Sequence, residues 1–200
     1  MSKKNKNIAV FASGNGSNLQ ALIDAEKREI FSGKIQLIFS NIATAYALER
    51  AKLHHIKSFC LESKTFQGTP NQFDAEILAV CVKEKIDLIC LAGYLKILSS
   101  VLINQYFKRI INIHPSLLPK YGGKGFYGHF VHEAVIKNHE KESGATVHFV
   151  TLEPDQGSII LQKKIAVDVN DTPEILAQRV LKIEHEIYPE AVRLFCDDAV

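Results

Sequence analysis

An amide and an imidazole stand two residues apart in residues 112–119, which read NIHPSLLP and continue an apolar run. Side chains at positions i and i+2 of a strand project from the same face, so Asn112 and His114 are predicted to point together. Pro115 lacks a backbone N–H and ends the strand. An amide can donate to a developing oxyanion, and an imidazole can carry a proton near neutral pH. This pair is therefore suited to acyl or formyl transfer.

Each of the two residues also has a purely structural explanation. An asparagine at the end of a strand is usually a turn former, and a single histidine is more often a partly buried residue with satisfied hydrogen bonds than a catalyst. Their pairing just before Pro-Ser-Leu-Leu-Pro favours catalysis. In an open α/β sheet, ligands bind beyond the carboxyl ends of the strands. We therefore expect the rest of the chain to bring substrates to this strand end.

Short apolar runs alternate with stretches of helical periodicity along the chain. Polar or irregular stretches predict loops at residues 63–71 and 94–98. Ser99 is placed to cap a short helix, and Pro173 to open a long final one. The predicted strands lie at residues 7–12, 35–40, 57–61, 87–92, 109–114, 145–151 and 158–167, and the predicted helices at residues 19–25, 43–54, 73–85, 99–106, 131–139 and 173–195.

This alternation predicts an α/β protein with right-handed crossovers. We expect a Rossmann-like three-layer fold, with a mostly parallel central sheet, an antiparallel edge at the last two strands and a long C-terminal helix. No linker separates two domains, so residues 1–200 are predicted to form one domain. We expect its N-terminal half, about residues 1–100, to bind phosphate, and residues 101–200 to carry the catalytic groups.

Composition excludes several classes of protein. The 200 residues are 46% hydrophobic, as in an ordinary globular core, and the formal net charge of +2 gives no general case for a nucleic-acid or membrane partner. The N-terminal residues 1–7 are polar, with no apolar signal segment or membrane span after them. The scattered cysteines predict reduced core thiols of a cytoplasmic protein rather than disulfides or a zinc site. These are Cys60, Cys81, Cys90 and Cys196.

A glycine-rich turn, GNGSN at residues 14–18, joins the first strand to the first helix. Free N–H groups and the helix dipole favour an anion there. A dinucleotide fingerprint requires a third glycine where Leu19 stands, and a Walker motif is absent. The turn therefore fits a single phosphate better than NAD or ATP. Alternatively, it is only a tight turn with Ser17 as the helix cap.

Three further residues have both a structural and a functional interpretation. His148 lies in a predicted strand, where a core or supporting role is usual. Asp155 precedes Gly157 and resembles a turn former, but its carboxylate could reach His114, raise the pKa of the imidazole and fix its orientation. Glu184 belongs to a charged Glu-His-Glu stretch that is most simply solvated. It could instead face the site and bind an ammonium group.

These motifs together closely resemble the phosphoribosylglycinamide formyltransferases of purine synthesis. The shared features are the S-G-N-G-S-N loop, L-A-G-aromatic-x-basic-I-L-S at residues 91–99, the unchanged NIHPSLLP, H-F-V-T with an aspartate–glycine turn at residues 148–157, and E-H-x-I-Y-P at residues 184–189. The resemblance covers essentially the whole chain. NIHPSLLP alone marks the wider folate-dependent formyl-transferring superfamily, whereas the phosphate loop and the compact length indicate this member.

The resemblance implies that the half at about residues 101–200 binds the folate as well as carrying the catalytic groups, and it implies roles for individual residues. The amine of glycinamide ribonucleotide would bind Glu184, and the catalytic residues would be Asn112, His114 and Asp155. The pterin of 10-formyltetrahydrofolate would bind Asn112 and a short backbone segment. That segment is Leu95, Lys96, Ile97 and Leu98. The ribose phosphate of the ribonucleotide would bind the glycine-rich turn, at Asn15, Gly16, Ser17 and Asn18.

The chain departs from the pattern of the family at two positions. Many relatives have a basic residue before the third helix where Pro70 stands, which leaves the contact with the folate tail open, with Lys64 as a possible substitute. Gln156 occupies a position that is often glycine, although the aspartate–glycine core of the turn is kept.

The loop at residues 120–128 contains four glycines. It would either close over the reactants or remain a surface loop.

The predicted reaction passes the formyl group of 10-formyltetrahydrofolate, as co-substrate, to the amine of glycinamide ribonucleotide. No metal or redox cofactor is expected, because the formyl group is already activated, and the chain is expected to be a monomer or homodimer. The alternative is a hydrolase that releases formate from the same folate, although no regulatory segment precedes Asn7. A non-catalytic nucleotide-binding module would leave the catalytic trio unexplained. Transfer to initiator tRNA is disfavoured, since no RNA-binding domain follows Val200.

Overall fold

The computed structural model of the chain describes residues 5–200, so the first four residues of the polar N-terminal segment lie outside this description. Strands and helices alternate through the first five strands, and a hairpin precedes the final helix. The strands are β1 (Lys6–Phe11), β2 (Gly33–Ser40), β3 (Lys57–Cys60), β4 (Leu88–Leu91), β5 (Ile110–His114), β6 (Glu142–Phe149) and β7 (Ile159–Ala166). The helices are α1 (Ser17–Lys27), α2 (Tyr46–Leu53), α3 (Pro70–Lys83), α4 (Ser100–Gln105), α5 (His129–Lys137) and α6 (Pro173–Cys196).

The seven strands form one sheet in the order β3-β2-β1-β4-β5-β6-β7. The pairs from β3 to β5 are parallel, whereas β5–β6 and β6–β7 are antiparallel. The predicted α/β fold with a mostly parallel sheet and an antiparallel edge is confirmed. The strand order reverses direction between β1 and β4, and such a switch point is where open α/β sheets bind ligands.

Two apolar clusters cover the two faces of the sheet and produce the three layers. Alternate strand residues divide between them: Ile8 and Val10 pack on the side of α1, α5 and α6, whereas Ala9 and Phe11 pack on the side of α3 and α4. This alternation follows from the two-residue period of a strand. Because both faces of the sheet are covered, β4 is buried at every position, as its uninterrupted apolar sequence predicted.

The α3 helix begins earlier than its apolar periodicity indicated. Thr69 accepts from the backbone N–H of Gln72, whose side chain accepts from the N–H of Thr69 in a capping box, and Pro70 occupies the first turn. The prediction of a loop over residues 63–71 was therefore wrong for its last two residues. Ser99 does occupy the N-cap of α4, but its hydroxyl makes no capping hydrogen bond.

The long helix α6 is anchored to the centre of the sheet. The hydroxyl of Tyr188 donates to the carbonyl oxygen of Leu91 at 2.9 Å, which ties the helix to the carboxyl end of β4. This contact fixes the face of α6 that carries Glu184 beside the strand ends. Within residues 5–200, no helix is long and apolar enough to cross a membrane. All four cysteines are free, but Cys60 is exposed, so the prediction that it is a core thiol was wrong.

Candidate active site

A cavity of about 410 Å³ opens beyond the carboxyl ends of β4 and β5. Its walls come from separate parts of the chain: the segment after β4, the end of β5, the glycine-rich loop before α5, the β6–β7 connection and one side chain each from α1 and α6. The residues predicted to act in catalysis, Asn112, His114 and Asp155, all line this cavity. The fold therefore brings together residues that lie up to 43 positions apart in the sequence.

The end of β5 has the predicted two-residue alternation. Asn112 and His114 both line the cavity, whereas Ile111 and Ile113 belong to the apolar cluster beneath α6, although Ile113 also reaches the cavity wall. His114 is 4% exposed and Asn112 is partly exposed. The strand thus presents one amide and one nearly buried imidazole to the same space.

The protonation of His114 can be assigned from its neighbour. Its Nε2 atom lies 2.7 Å from the carbonyl oxygen of Tyr121. A carbonyl only accepts hydrogen bonds, so Nε2 carries the proton and the neutral ring has a bare Nδ1. The Nδ1 atom faces Asp155, with 3.7 Å between it and the Oδ2 atom. The ring is therefore held by the loop on one side, while Nδ1 is left to exchange a proton.

Asp155 lies in the turn between β6 and β7, in the left-handed region with φ of 58°. Its Oδ2 atom accepts from the backbone N–H of Gly123 at 2.8 Å, which ties the turn to the glycine-rich loop. Its Oδ1 atom lies 3.4 Å from Nε2 of His148. Gly157 lets this turn close, because a Cβ atom there would lie 1.7 Å from the carbonyl oxygen of Phe149.

Burial and neighbouring groups shift the pKa values of both His114 and Asp155. Burial lowers the pKa of His114, and the Asp155 carboxylate and the Tyr121 carbonyl only partly oppose this. The carboxylate thus acts in the expected direction on the pKa of His114, but burial outweighs it. Burial acts to raise the pKa of Asp155, but the contact with His148, the nearby His114 and the Gly123 N–H together outweigh it and lower this pKa. The carboxylate is consequently held in its charged form.

His148 is the site residue that sequence reasoning left as a core or supporting histidine. It is 1% exposed, lines the cavity and pairs with Asn112 across the antiparallel β5–β6 ladder. Its Nε2 atom lies 3.2 Å from Nδ2 of Asn112 as well as near Asp155. The sequence did place His148 in a strand. The register of β5 against β6, which sets His148 opposite Asn112, cannot be predicted from the spacing of residues alone.

Glu184 faces the cavity, so the expectation of a solvated charge was wrong for this residue. It is 8% exposed, and one carboxylate oxygen accepts from Nδ2 of Asn18 at 2.6 Å. Burial raises the pKa of Glu184 to about 7, against the lowering effect of Asn18. The buried Oδ1 atom of Asn18 has no hydrogen-bond partner. The two residues thus offer a carboxyl group and a free acceptor at the end of the cavity next to α1.

The predicted phosphate loop lies beside this end of the cavity, although only Asn18 of its residues lines it. Gly16, not Ser17, occupies the N-cap of α1, with φ of 73°, so the alternative in which Ser17 caps the helix was wrong. Arg50 donates to both the backbone carbonyl and the side-chain oxygen of Asn15, each at 2.9 Å. This brings a guanidinium group to the loop, which strengthens its positive field.

The segment predicted to bind the pterin forms the opposite wall. Leu95, Lys96, Ile97 and Leu98 all line the cavity. Two hydrogen bonds hold the segment: the N–H of Leu95 donates to the hydroxyl of Ser13 at 2.9 Å, and the N–H of Ser99 donates to the buried carboxylate of Asp74 at 2.5 Å.

The residues considered for the folate tail lie elsewhere. Pro70 occupies the first turn of α3, and Lys64 is exposed, and neither lines the cavity. Lys96, in contrast, lines it and places its ammonium group 4.8 Å from the ring centre of Phe73. Within residues 5–200, no group of three or more His, Cys, Asp or Glu side chains is arranged to hold a metal ion.

Comparisons with known proteins agree with this geometry. The family model described as Formyl transferase matches residues 6–192. The chain is 41% identical over 191 residues to the phosphoribosylglycinamide formyltransferase of Escherichia coli strain K12, covering 96% of this chain and 87% of that protein. It is likewise similar to the crystal structure of glycinamide ribonucleotide transformylase 1 from Symbiobacterium toebii. That match has a TM-score of 0.91 and 36% identity, and covers 99% of this chain and 94% of the other.

A formyltetrahydrofolate deformylase from Pseudomonas syringae shares the fold, with a TM-score of 0.87. Its sequence identity is only 24%, and the alignment covers 98% of this chain but 62% of the deformylase chain. This likeness establishes a common architecture and no more. The transferases are therefore the nearer group by both identity and coverage.

Proposed function

The chain belongs to the formyl transferase family, and we propose that Asn112, His114 and Asp155 carry out its formyl transfer. Its relatives identify it as an enzyme that transfers a formyl group to phosphoribosylglycinamide in de novo purine biosynthesis. The family uses a formyl folate as co-substrate. We infer that 10-formyltetrahydrofolate is the donor here. The observation that carries the catalytic assignment is the convergence of the amide, imidazole and carboxylate in one cavity.

A bound ammonium group of the ribonucleotide first releases one proton to solvent. The neutral amine then attacks the formyl carbon, and the carbonyl electron pair moves onto oxygen to give a tetrahedral oxyanion. Asn112 donates to this oxyanion. The bare Nδ1 of His114 accepts a proton from the attacking nitrogen, and Asp155 stabilises the imidazolium so formed. His114 then returns the proton to N10 of the folate as the carbon–nitrogen bond breaks. The products are the N-formyl ribonucleotide and tetrahydrofolate, with no net change of protons on the protein.

The two substrates approach this trio from opposite ends of the cavity. The ribose phosphate is proposed to bind Asn15, Gly16, Ser17 and Asn18, where the α1 N-terminus and Arg50 favour an anion. The amine end lies toward Glu184. The pterin lies against residues 95–98, whose fixed backbone groups support recognition. The loop at residues 120–128 contributes the N–H that holds Asp155 and is proposed to shield the reactants from water.

The alternative activity, release of formate by water attack, would use the same trio. The position of the phosphate loop next to the cavity favours transfer, because hydrolysis of the folate has no use for a phosphate site. Steady-state turnover of the purified chain with both substrates tests this. We expect formylated ribonucleotide to form, with little formate released when the ribonucleotide is omitted. Formate release at an unchanged rate without the ribonucleotide, and no formylated product, would refute the proposal.

Three predictions go beyond the chemistry of the site. The cytoplasmic location, the monomeric or dimeric state and the single domain with a division of labour between its halves remain predictions from the sequence. The cavity draws residues from both halves, since Leu95 and Asn18 come from the first and His114 and Glu184 from the second. Light scattering of the purified chain measures the oligomeric state directly.

A further inference from the structure

His148 lies where it can control the orientation of Asn112. It is almost fully buried on β6, directly opposite Asn112 on β5, and its ring contacts Asn112 and Asp155 from the floor of the cavity. The charged or titratable side chains that face it are Asp155 from the β6–β7 turn and His114 from β5. None of the catalytic steps above transfers a proton to or from His148.

The protons on this ring follow from a backbone contact. The Nδ1 atom of His148 lies 2.8 Å from the carbonyl oxygen of Phe149, which only accepts, so Nδ1 carries the proton. In the neutral ring, Nε2 is then a bare acceptor. A carboxylate oxygen cannot donate to it, so Asp155 can accept from His148 only when the ring is doubly protonated. The Nδ2 group of Asn112, 3.2 Å away, is the available donor.

We infer that His148 is a positioning residue for formyl transfer, which holds the amide of Asn112 with its NH₂ group, rather than its oxygen, toward the reaction. One N–H of Asn112 is used by His148, and the second is left for the oxyanion. This inference rests on the proposed function. Without the acceptor on His148, the amide of Asn112 can rotate and present its oxygen to the oxyanion, where two acceptors repel each other.

Two substitutions by amides separate this role from simple packing. His148→Gln extends its carboxamide to the position of Nε2 and can accept from Asn112. His148→Asn places its carboxamide near the position of Nδ1, so it can keep the bond to the Phe149 carbonyl but offers Asn112 no acceptor. Both variants are neutral and polar, so they disturb the buried site in similar ways. Thermal melting and titration with the ribonucleotide check that each is folded and binds substrate.

We expect His148→Gln to keep kcat within about fivefold of the parent, and His148→Asn to lose roughly 10- to 100-fold. That loss is less than the 10²–10³ found when an oxyanion donor is removed outright. KM for both substrates should change little, because Asn112 acts mainly on the transition state. In an Asn112→Ala background, His148→Asn should lower kcat by less than about threefold, since two residues that act through one contact are not additive.

Equal kcat for the Gln and Asn variants would overturn the inference, as would a loss that multiplies fully in the Asn112→Ala background. The latter result would indicate that His148 acts through Asp155 or through packing. Failure of the proposed function is distinguishable, because the parent chain itself would then form no formylated ribonucleotide. If neither His148 variant folds, the imidazole ¹⁵N spectrum of the parent chain provides the remaining test. It should show His148 with its proton on Nδ1 and a bare Nε2, and a proton on Nε2 would contradict the inference.

Discussion

The Nδ1 atom of His114 lies 3.7 Å from Oδ2 of Asp155, while Nε2 of the same ring is fixed on the Tyr121 carbonyl. The distance exceeds that of a normal hydrogen bond, and burial lowers the pKa of the imidazole. In the proposed reaction, the carboxylate therefore stabilises a charge that forms during turnover more than one already present. We propose on this basis that Asp155 contributes to turnover rather than to substrate binding.

Replacement of Asp155 by asparagine removes the charge but keeps the shape. Asparagine tolerates the left-handed backbone found here, so the turn should persist. Loss of the carboxylate destabilises the imidazolium and lowers the pKa of His114 further, so the pH limb that reports its protonation moves to lower pH. We expect kcat to fall by roughly 10²–10⁴ with little change in KM. A folded variant with kcat within about threefold of the parent would return Asp155 to the ordinary turn formers.

Ser17→Glu should weaken binding of the ribonucleotide selectively. A negative charge at the first residue of α1 repels the phosphate of the ribonucleotide. KM for the ribonucleotide should therefore rise by roughly tenfold or more, while KM for the folate is unchanged. Ser32→Glu, which adds the same charge in the exposed α1–β2 connection, is the matched control. Gly16→Val should act in the same direction, but a Cβ there lies 3.0 Å from that of Ala47 and would also destabilise the turn. Equal effects of Ser17→Glu on both substrates would remove the phosphate assignment.

Glu184 should make binding of the ribonucleotide depend on pH. Its folded pKa, raised by burial to about 7, means that the carboxyl group is largely protonated below that pH and ionised above it. An ammonium group prefers the ionised form, so affinity should increase as the pH rises through about 7. Glu184→Gln should abolish this increase and raise Kd at pH 8 by roughly 10- to 100-fold, the effect of a charge-assisted hydrogen bond of about 1.5–3 kcal/mol. Calorimetric titrations with the ribonucleotide measure this.

Ribose 5-phosphate, which lacks the amine, is the control ligand for that titration. Its affinity should follow the ionisation of its phosphate near pH 6 in both proteins. If the parent and Glu184→Gln proteins bind the ribonucleotide with the same pH dependence, Glu184 does not receive the amine.

Asp74→Ala should impair the folate side of the cavity. It leaves the N–H of Ser99 without its acceptor, a loss of about 1–3 kcal/mol for a buried group, and loosens residues 95–98. KM for the folate should increase severalfold while KM for the ribonucleotide stays constant. Asp87→Ala is a matched control, because Asp87 accepts from the N–H of Asn7 at the other end of the strands. Loss of stability in both variants, without a selective change in KM, would show that Asp74 is only structural.

Local sequence patterns were enough to predict the fold class and most of the cavity wall. Period-two and helical patterns reflect local geometry, so β1 to β5 and α6 were predicted within a few residues. The order Asn-Ile-His places two side chains on one face of a strand wherever that strand lies. The glycines of residues 14–18 likewise indicated a turn able to receive an anion.

How these elements meet depends on packing between distant segments and could not be predicted from local patterns. The β5–β6 register sets His148 against Asn112, and packing of α6 buries Glu184 beside Asn18. The net pKa of His114 could not be predicted from the sequence, because burial, which outweighs the expected effect of Asp155, depends on neighbours contributed by distant segments. Local patterns encode which way a side chain leaves its own strand or helix. Desolvation and cross-strand contacts arise only when residues more than 30 positions apart are packed together.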